Sequence, residues 1–389
     1  MPSASTDILT LLAITVREAG PVGMSPDTLA EQFKNISRST LNRRLADLVK
    51  QGSIKPMGAG RSTRYVSCSP FTQADFDAYF AKPWEQRPVA VFDEAMLQPQ
   101  PGLDADKARR MQQLQRIANP LDKRFLTNFL VHFSWGSSVL EGSSYSSLDT
   151  QALLDYGHRN KDKPTEDAVL ILNHKRAIEY LWANPGLTLE KVLALHDRLT
   201  DNHEQEEVKD SDHFLPDFQR GKPREFEEVN LGASAYLPPF RPGTGYIAQA
   251  LQGIIVTAQS LPPFQAALYL MTRIAYLQAF ANGNKRTARL AANYPLVGAG
   301  LLPLSFADVD KAQYIRAMAA VYELRSLQLM ENLFIHSYAR SVVRGSQLPM
   351  ELRRQGFDME QLASALAGYV HSGQVPNDAR AQAFISTTQ

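Results

Sequence analysis

Residues 278–289 read QAFANGNKRTAR, and the interpretation of the whole chain depends on this stretch. Upstream, residues 262–277 place apolar side chains around most of a helical wheel, with Arg273 as their one charged residue, which predicts a helix buried on nearly all sides. Downstream, residues 289–294 resume a helical pattern, and Gly283 followed by Asn284 is a turn signal. The stretch therefore predicts a tight turn between two core helices.

The turn carries an unusual concentration of positive charge. Lys285, Arg286 and Arg289 fall in or beside the first turn of the second helix, where the helix dipole disfavours cations. Free backbone N–H groups point outward from the same end. A bound anion, most naturally a phosphate chain, would explain this arrangement. The alternative is a solvated basic turn near a surface carboxylate, which the buried character of the flanking helices disfavours.

These residues resemble the signature loop of Fic/Doc (Fido-fold) proteins, His-x-Phe-x-Asp/Glu-Gly-Asn-Gly-Arg-x-x-Arg, or Asn-Lys-Arg in its Doc-like form. The positions that match are Phe280, Gly283, Asn284, Lys285, Arg286 and Arg289. The resemblance implies ATP as ligand or substrate, with its phosphates held by the matching residues from Gly283 onward. It also implies catalytic roles for Asn284 and Arg286 beside the residue at position 278.

Two positions depart from the family's pattern. Its catalytic histidine is replaced by Gln278, whose amide cannot take up a proton, and losing a general base typically costs roughly 10²–10⁴-fold in rate. Its magnesium-holding carboxylate is replaced by Asn282, so that magnesium binding is possible but weak. Among the eight histidines, His203 and His213 are the candidates for a substitute base, because both precede the flap described below.

An earlier segment, Ser137-x-x-x-Glu141-Gly142, resembles the family's inhibitory motif. The resemblance implies that Glu141 ends an inhibitory helix and pairs bidentately with Arg289, in the place of the nucleotide's γ-phosphate. The alternative is a surface glutamate beside a C-terminal glycine cap.

Residues 221–239 resemble the family's flap, a hairpin that aligns a target segment by strand addition. Arg224, Val229 and Tyr236 are its candidate target-docking residues. The alternative is an ordinary surface hairpin.

The N-terminal 67 residues combine three predicted helices with a basic hairpin formed by residues 54–57 and 61–66, and they resemble a winged helix-turn-helix. They carry nine Lys/Arg against five Asp/Glu. In such folds the third helix enters the major groove and the wing contacts phosphate. The candidate DNA-binding residues are Arg38, Thr40, Asn42, Arg43, Arg61 and Arg64. The alternative is a dimerisation or protein-docking module. If the domain binds DNA, a homodimer is possible, because one chain offers too few phosphate contacts for tight binding.

The chain of 389 residues is expected to be mainly α. We predict a small α+β winged-helix domain at 1–67, a connector at 68–104, an all-α Fido-fold domain with a β-hairpin flap at 105–345, and a C-terminal helical tail at 346–389. A net charge of +1 makes no argument for nucleic acid or membrane binding by the whole chain. The single cysteine, Cys68, fits a cytoplasmic protein, and no apolar run approaches the ~20 residues of a membrane span.

Three functions are consistent with these patterns. The first is a Fic-like ATP-binding enzyme that transfers AMP to a protein hydroxyl, impaired or unusual because Gln278 stands in the place of the base; Lys285 makes Doc-like transfer of phosphate a variant of this function. The second is a nucleotide-binding pseudoenzyme that regulates transcription as a DNA-binding protein. The third is a scaffold that needs neither nucleotide nor DNA, which the basic residues of the stretch 278–289 disfavour.

Overall fold

The computed structural model describes residues 4–58, 60–68, 71–100, 102–115, 123–307, 309–345 and 358–386. For residues 4–7, 18, 21, 61, 123 and 124 only the backbone is described. This part of the chain is mainly helical and divides into two compact units.

The first unit comprises residues 1–94, Asn230–Pro238 and Ala319–Gln328. Its elements are α1 (Ala4–Glu18), α2 (Pro26–Gln32), α3 (Arg38–Lys50), β1 (Ile54–Met57), β2 (Arg64–Ser67), α4 (Gln73–Phe80), β3 (Ala90–Val91) and β4 (Tyr236–Leu237). Ser25 and Ser37 begin α2 and α3 because their hydroxyls accept hydrogen bonds from backbone N–H groups three residues later. The core of this unit contains Leu12, Val16, Leu29, Leu41, Leu45, Leu48 and Ile54.

The three helices and the hairpin predicted for the N-terminus are present. β1 pairs with β2 in antiparallel register from Ile54↔Ser67 to Met57↔Arg64. Val49, which follows Leu48 on α3, is an apolar residue that is 36% exposed. The inner face is occupied by Leu45 and Leu48, and the next residue along a helix points about 100° away from it.

The hairpin flap predicted over residues 221–239 is not formed. The strand in this region, β4, pairs in parallel with β3, with Ala90 opposite Tyr236. The preceding residues 225–228 read EFEE and offer no alternating apolar face for an antiparallel partner. Tyr236 is instead buried and stacks on Tyr322 at 5.2 Å.

A buried carboxylate, Glu323, joins three segments of the first unit. It accepts hydrogen bonds from Tyr79 Oη (2.9 Å), Arg87 Nη1 (3.0 Å) and Ser234 Oγ (2.7 Å). The side chain of Glu323 has no exposed surface, and such a buried charge is tolerated only when it is paired and hydrogen-bonded. These bonds hold β4 and the segment around Glu323 beside α4.

The second unit comprises residues 95–229, 239–318 and 329–389 within the described ranges, and it is helical. Its helices, two of which extend into the first unit, are α5 (Ala105–Leu114), α6 (Lys123–Glu141), α7 (Ser147–Tyr156), α8 (Thr165–Ala183), α9 (Leu189–Leu199), α10 (Tyr246–Ser260), α11 (Pro263–Leu277), α12 (Asn284–Ala291), α13 (Asn293–Gly298), α14 (Lys311–Leu324), α15 (Gln328–Gly345), α16 (Met359–Ser372) and α17 (Ala379–Ser386). Residues 346–357 and 387–389 of the predicted tail lie outside the described residues.

Helix α11 is the centre of the second unit. Every residue from Ala266 to Leu277 is buried, which confirms the prediction of a helix surrounded on nearly all sides. It packs against α10 and α12, while α12 also packs against α9. α6 packs against α8, and α8 packs against α9, so that α6 is connected to α12 through these helices. None of the described helices combines the length and apolar composition needed to span a membrane.

Candidate functional site

The turn between α11 and α12, residues 278–283, is called here the anion loop. Gln278 follows α11 in the left-handed conformation (φ +49°) and is 2% exposed. Its Nε2 donates to Ala275 O (2.7 Å), and its Oε1 accepts from Asn284 Nδ2 (3.0 Å). Both ends of the Gln278 amide are therefore used inside the protein.

Asn284 closes the anion loop from the other side. Its Oδ1 accepts from Phe280 N (2.9 Å), and its Nδ2 donates to Phe280 O (2.8 Å) as well as to Gln278. The amide of Asn284, which the sequence assigned to catalysis and phosphate binding, is thus occupied by the loop itself. The group of Asn284 that can still bind a ligand at the start of α12 is its backbone N–H.

Gly283 lets the loop approach α9 closely. It has φ +72°, and a Cβ at this position would lie 2.7 Å from Thr200 Cγ2. Both the left-handed backbone and the close approach favour glycine. The first turn of α12 is therefore held beside the end of α9.

Arg286 is 1% exposed and is held by backbone carbonyls. Its Nη1 donates to Leu199 O (2.8 Å) and its Nη2 to His213 O (2.6 Å). Burial lowers the pKa of Arg286 to about 10, so that it stays charged at neutral pH. The sequence predicted a phosphate ligand here, whereas the guanidinium holds residues 201–216, called here the 201–216 loop.

Arg289 contacts the two residues of α6 that the sequence singled out. Its Nη2 donates to Glu141 Oε1 (2.6 Å), and its Nε and Nη2 donate to Ser137 Oγ (3.1 and 3.0 Å). The expected pairing of Glu141 with Arg289 is present, through one carboxylate oxygen. Arg289 has no exposed surface, and its Nη1 makes no hydrogen bond of ordinary geometry to described residues. Gly142, which follows with φ +114°, ends α6.

The cations around Glu141, which we call the cationic corner, stabilise a negative charge at this position. Burial alone would raise the pKa of the Glu141 carboxyl, but the charges of Arg289, Lys285 and Arg286 hold it below its ordinary value. Lys285, in the first turn of α12, is partly exposed. A carboxylate thus lies where three cations and the positive end of a helix converge.

Asn282, the candidate magnesium ligand, uses its side chain on the backbone. Its Oδ1 accepts from Gly283 N, and its Nδ2 donates to Asp212 O. Among the described residues, no three His, Cys, Asp or Glu side chains form a group that could hold a metal ion. The Glu141 carboxylate is paired with Arg289. This donor set does not fit magnesium, because Mg²⁺ is usually held by one or two carboxylates.

A histidine that the sequence reasoning missed lies under the anion loop. The ring of His196 stacks on Phe280 at 3.8 Å. Its Nδ1 accepts from Gly221 N (3.0 Å), so its Nε2 carries the hydrogen that Asn282 O accepts (3.0 Å). Burial lowers the pKa of His196 to about 3. The apolar pattern of α9 contained a signal for a buried histidine, but not for its partners, which lie far along the chain.

The two histidines proposed as substitute bases differ in their surroundings. His203 donates from Nε2 to Asn173 Oδ1 (2.7 Å) and accepts at Nδ1 from Arg176 (2.7 Å), so that both ring nitrogens are occupied. His213 is half-buried, and its backbone carbonyl contacts Arg286. Burial, aided by the charge of Arg286, lowers the pKa of His213. Burial lowers the pKa of His203 as well, so the two differ in that His213 is the one next to Arg286.

This geometry can be compared with known proteins. Residues 186–296 match the model of the Fic/DOC family. We call these residues the Fic region. It contains α9, the 201–216 loop, the anion loop and α12, whereas Ser137 and Glu141 precede it.

Solved structures resemble this chain at low sequence identity. A Fic family protein from Desulfovibrio desulfuricans shares the fold at 14% identity and a TM-score of 0.50, over 75% of this chain and 86% of that one. Fic-1 from C. elegans aligns at 19% identity and a TM-score of 0.47, over 61% and 69%. A Fic domain containing signaling protein from Bacteroides thetaiotaomicron aligns at 17% identity and 0.44, over 65% and 97%.

Within the Fic region, Arg224 supports the anion loop from outside. Its Nε donates to Gln278 O (2.6 Å), its Nη2 to Pro239 O (2.5 Å) and its Nη1 to Glu227 O (3.0 Å). Arg224 is 5% exposed, so this candidate docking residue is a buried cap on the C-terminal end of α11. Val229 is half-buried in the same segment, and Tyr236 is buried in the first unit.

The candidate DNA-binding residues of the first unit fall into two groups. Asn42 and Arg43 are exposed on α3, as is Arg38, which pairs with Asp27 (2.5 Å). Thr40 is half-buried, and its hydroxyl contacts Ser37 Oγ. Arg64 instead turns inward: its Nε donates to Val22 O (2.9 Å) and its Nη2 to Gly23 O (3.1 Å). The side chain of Arg61 lies outside the described residues.

Proposed function

We propose that the Fic region binds the phosphate chain of ATP at the start of α12, with Lys285 and Arg289 as its cations. The Glu141–Arg289 ion pair carries this proposal, because a carboxylate already occupies the position that an anion would take. The outward N–H groups of the first helical turn supply further donors. ATP is the phosphate ligand that the resemblance to Fic/Doc proteins implies.

The function proposed is that of a nucleotide-binding regulator whose transfer chemistry is slow. Gln278 is not a base, and its amide is bonded to Ala275 and Asn284. Without a positioned base, transfer of AMP or phosphate to a protein hydroxyl loses roughly 10²–10⁴-fold. His213 is the group that any remaining transfer would use, because burial and the charge of Arg286 lower its pKa and its backbone carbonyl is held by Arg286.

Incubation of the full chain with α-labelled and γ-labelled ATP tests this function. We expect calorimetry to detect ATP binding, while label transfer to the protein or to a lysate stays near background. His213→Gln should remove the residual label, and His203→Gln, the matched control, should not. Rapid transfer of either label would overturn the regulatory assignment, and absence of ATP binding even in Glu141→Gly would overturn the site.

We further propose that the first unit binds duplex DNA through α3. The supporting observation is a continuous exposed stripe along this helix with the spacing of one helical face: Ser39, Asn42, Arg43, Ala46 and Lys50. It combines small, amide and basic side chains, which suit base edges and phosphates in a major groove. With ATP bound in the Fic region, such a protein would respond to nucleotide as a DNA-bound regulator.

Fluorescence anisotropy with labelled duplexes at several salt concentrations tests DNA binding. Binding that weakens steeply with salt is expected, because released counterions scale with the phosphates contacted. If the full chain binds no duplex even at low salt, the first unit is a docking module instead.

A further inference from the structure

We infer that the Fic region takes a polyphosphate ligand in its metal-free form, and that Asn282 holds the 201–216 loop instead of coordinating magnesium. The choice of a polyphosphate rests on the proposed function. The role of Asn282 rests on its own hydrogen bonds.

The side chain of Asn282 is suited to the backbone around it and not to a metal. Its Nδ2 donates to Asp212 O, which a carboxylate could not do because it has no hydrogen to donate. Its Oδ1, the only oxygen it could offer to a cation, accepts from Gly283 N. An aspartate at this position would place negative charge against the Asp212 carbonyl oxygen. The residue type at 282 is therefore explained by the loop contact.

The 201–216 loop is attached to the Fic region at several further points. Arg286 donates to the carbonyls of Leu199 and His213, at the loop's base and near its end. Leu215 N donates to Thr200 O (2.9 Å), which closes the loop on itself. Together with the Asn282–Asp212 bond, these hydrogen bonds hold the loop against the residues that begin α12.

The charges of the corner suit an anion that brings no cation with it. Arg286 and Arg289 are both fully buried, and Lys285 is partly exposed beside them. Glu141 is the carboxylate among them, and Arg289 pairs with it. Once Glu141 is displaced, Lys285 and Arg289 can donate to the ligand, and the buried charge of Arg286 adds to the positive potential there. Charge-assisted hydrogen bonds to phosphate then supply the stabilisation that magnesium would otherwise give.

The test measures ATP affinity by calorimetry in the Glu141→Gly protein, once in EDTA and once in excess magnesium chloride. We expect binding in EDTA to be at least as tight as in magnesium. Asn282→Asp in the same background should weaken binding in EDTA at least tenfold and should make it tighter with magnesium than without. Asn230→Asp, which adds the same charge at an exposed position, should leave both affinities unchanged.

Binding that is tenfold tighter with magnesium in Glu141→Gly would overturn this inference and leave the proposed ATP site intact. No ATP binding in either buffer would overturn both. If Asn282→Asp does not fold, the EDTA and magnesium comparison at the natural residue decides alone.

The loop contact has a readout that needs no ligand. In Asn282→Asp, amide hydrogen exchange of residues 201–216 should accelerate while the buried amides of α11 keep their protection. Unchanged exchange in the loop would show that Asn282 does not hold it, whatever the outcome of the binding experiments.

Discussion

Asn284 donates from Nδ2 to Gln278 Oε1 over 3.0 Å, and this bond joins the first residue of α12 to the residue that ends α11. Gln278 also donates to Ala275 O, and Asn284 bonds both backbone groups of Phe280. The two amides thus satisfy each other and the turn between them. Gln278 therefore stabilises the anion loop through both ends of its side-chain amide.

Replacing Gln278 by methionine should destabilise the protein. Asn284 Nδ2 would keep its bond to Phe280 O, and the Ala275 carbonyl its bond from the backbone N–H of residue 278, but each would lose one buried hydrogen bond. Such a bond contributes roughly 0.5–1.5 kcal/mol. Urea unfolding should show a lower midpoint. Gln252→Met, at an exposed position of α10, is the control and should have little effect. An equal stability for Gln278→Met and the natural protein would contradict the role of this amide.

Removing the carboxylate of Glu141 should tighten ATP binding. Glu141→Gln takes away a charge-assisted competitor worth about 1.5–3 kcal/mol, or roughly 10- to 150-fold in Kd. Isothermal calorimetry gives the comparison, with Glu179→Gln on the exposed face of α8 as control. Unchanged affinity would mean that Glu141 and the phosphates do not share a position.

The Glu141–Arg289 pair should also make stability depend on pH. The pKa of Glu141 is lowered in the folded protein from its ordinary 4.5, so the carboxylate contributes stability above that value and loses it as pH falls toward the folded pKa. The stability difference between the natural protein and Glu141→Gln should therefore be constant from pH 8 to about 5.5 and shrink below it. Urea titrations across this range measure it; a difference that grows on acidification would contradict the sign.

Restoring a base should restore chemistry. In the Glu141→Gly background, Gln278→His supplies a proton acceptor, and label transfer from ATP should rise by up to roughly 10²–10⁴-fold over Glu141→Gly alone. The same change should lower stability, because it removes the hydrogen bonds of the Gln278 amide. Gln278→Met in the same background removes those hydrogen bonds without adding a base, and should show no rise.

DNA binding should depend on α3 and not on Arg64. Arg43→Glu together with Lys50→Glu should weaken binding and reduce the salt dependence by about one unit of slope for each phosphate that the protein no longer neutralises. Lys161→Glu with Lys222→Glu changes the same charge at exposed positions elsewhere and should leave binding intact. Arg64→Glu should instead lower the unfolding temperature, because its guanidinium holds the carbonyls of Val22 and Gly23.

Local patterns predicted most of the helices. α11 was expected because its apolar residues surround the wheel, and α2 and α3 because serines at 25 and 37 are good N-caps. The contact between Glu141 and Arg289 was also expected, from the resemblance of two separate motifs. Each of these rests on residues close in sequence, or on a pairing already implied by a motif.

The direction of a charged or amide side chain was not predictable in the same way. The sequence shows that Arg286 and Arg64 are cations but not which carbonyls they bind. Their partners, such as His213 and Val22, lie far from them along the chain. The parallel pairing of Tyr236 with Ala90 was missed for the same reason, since neither strand has a periodic pattern of its own. Non-local hydrogen bonds therefore determined where these side chains point.

The Glu323 carboxylate has a consequence for how the protein is made. Tyr79 and Arg87 are synthesised more than two hundred residues before the residue that pairs with them. On the ribosome, the small core of α1 to β2 can form early, whereas the hydrogen bonds that Tyr79 and Arg87 make with Glu323 must wait for the end of α14 to emerge. Until then Tyr79 and Arg87 have no carboxylate partner to bury against. This part of the first unit therefore completes its folding late in translation. A chain that stops before Ala319 would lack the carboxylate.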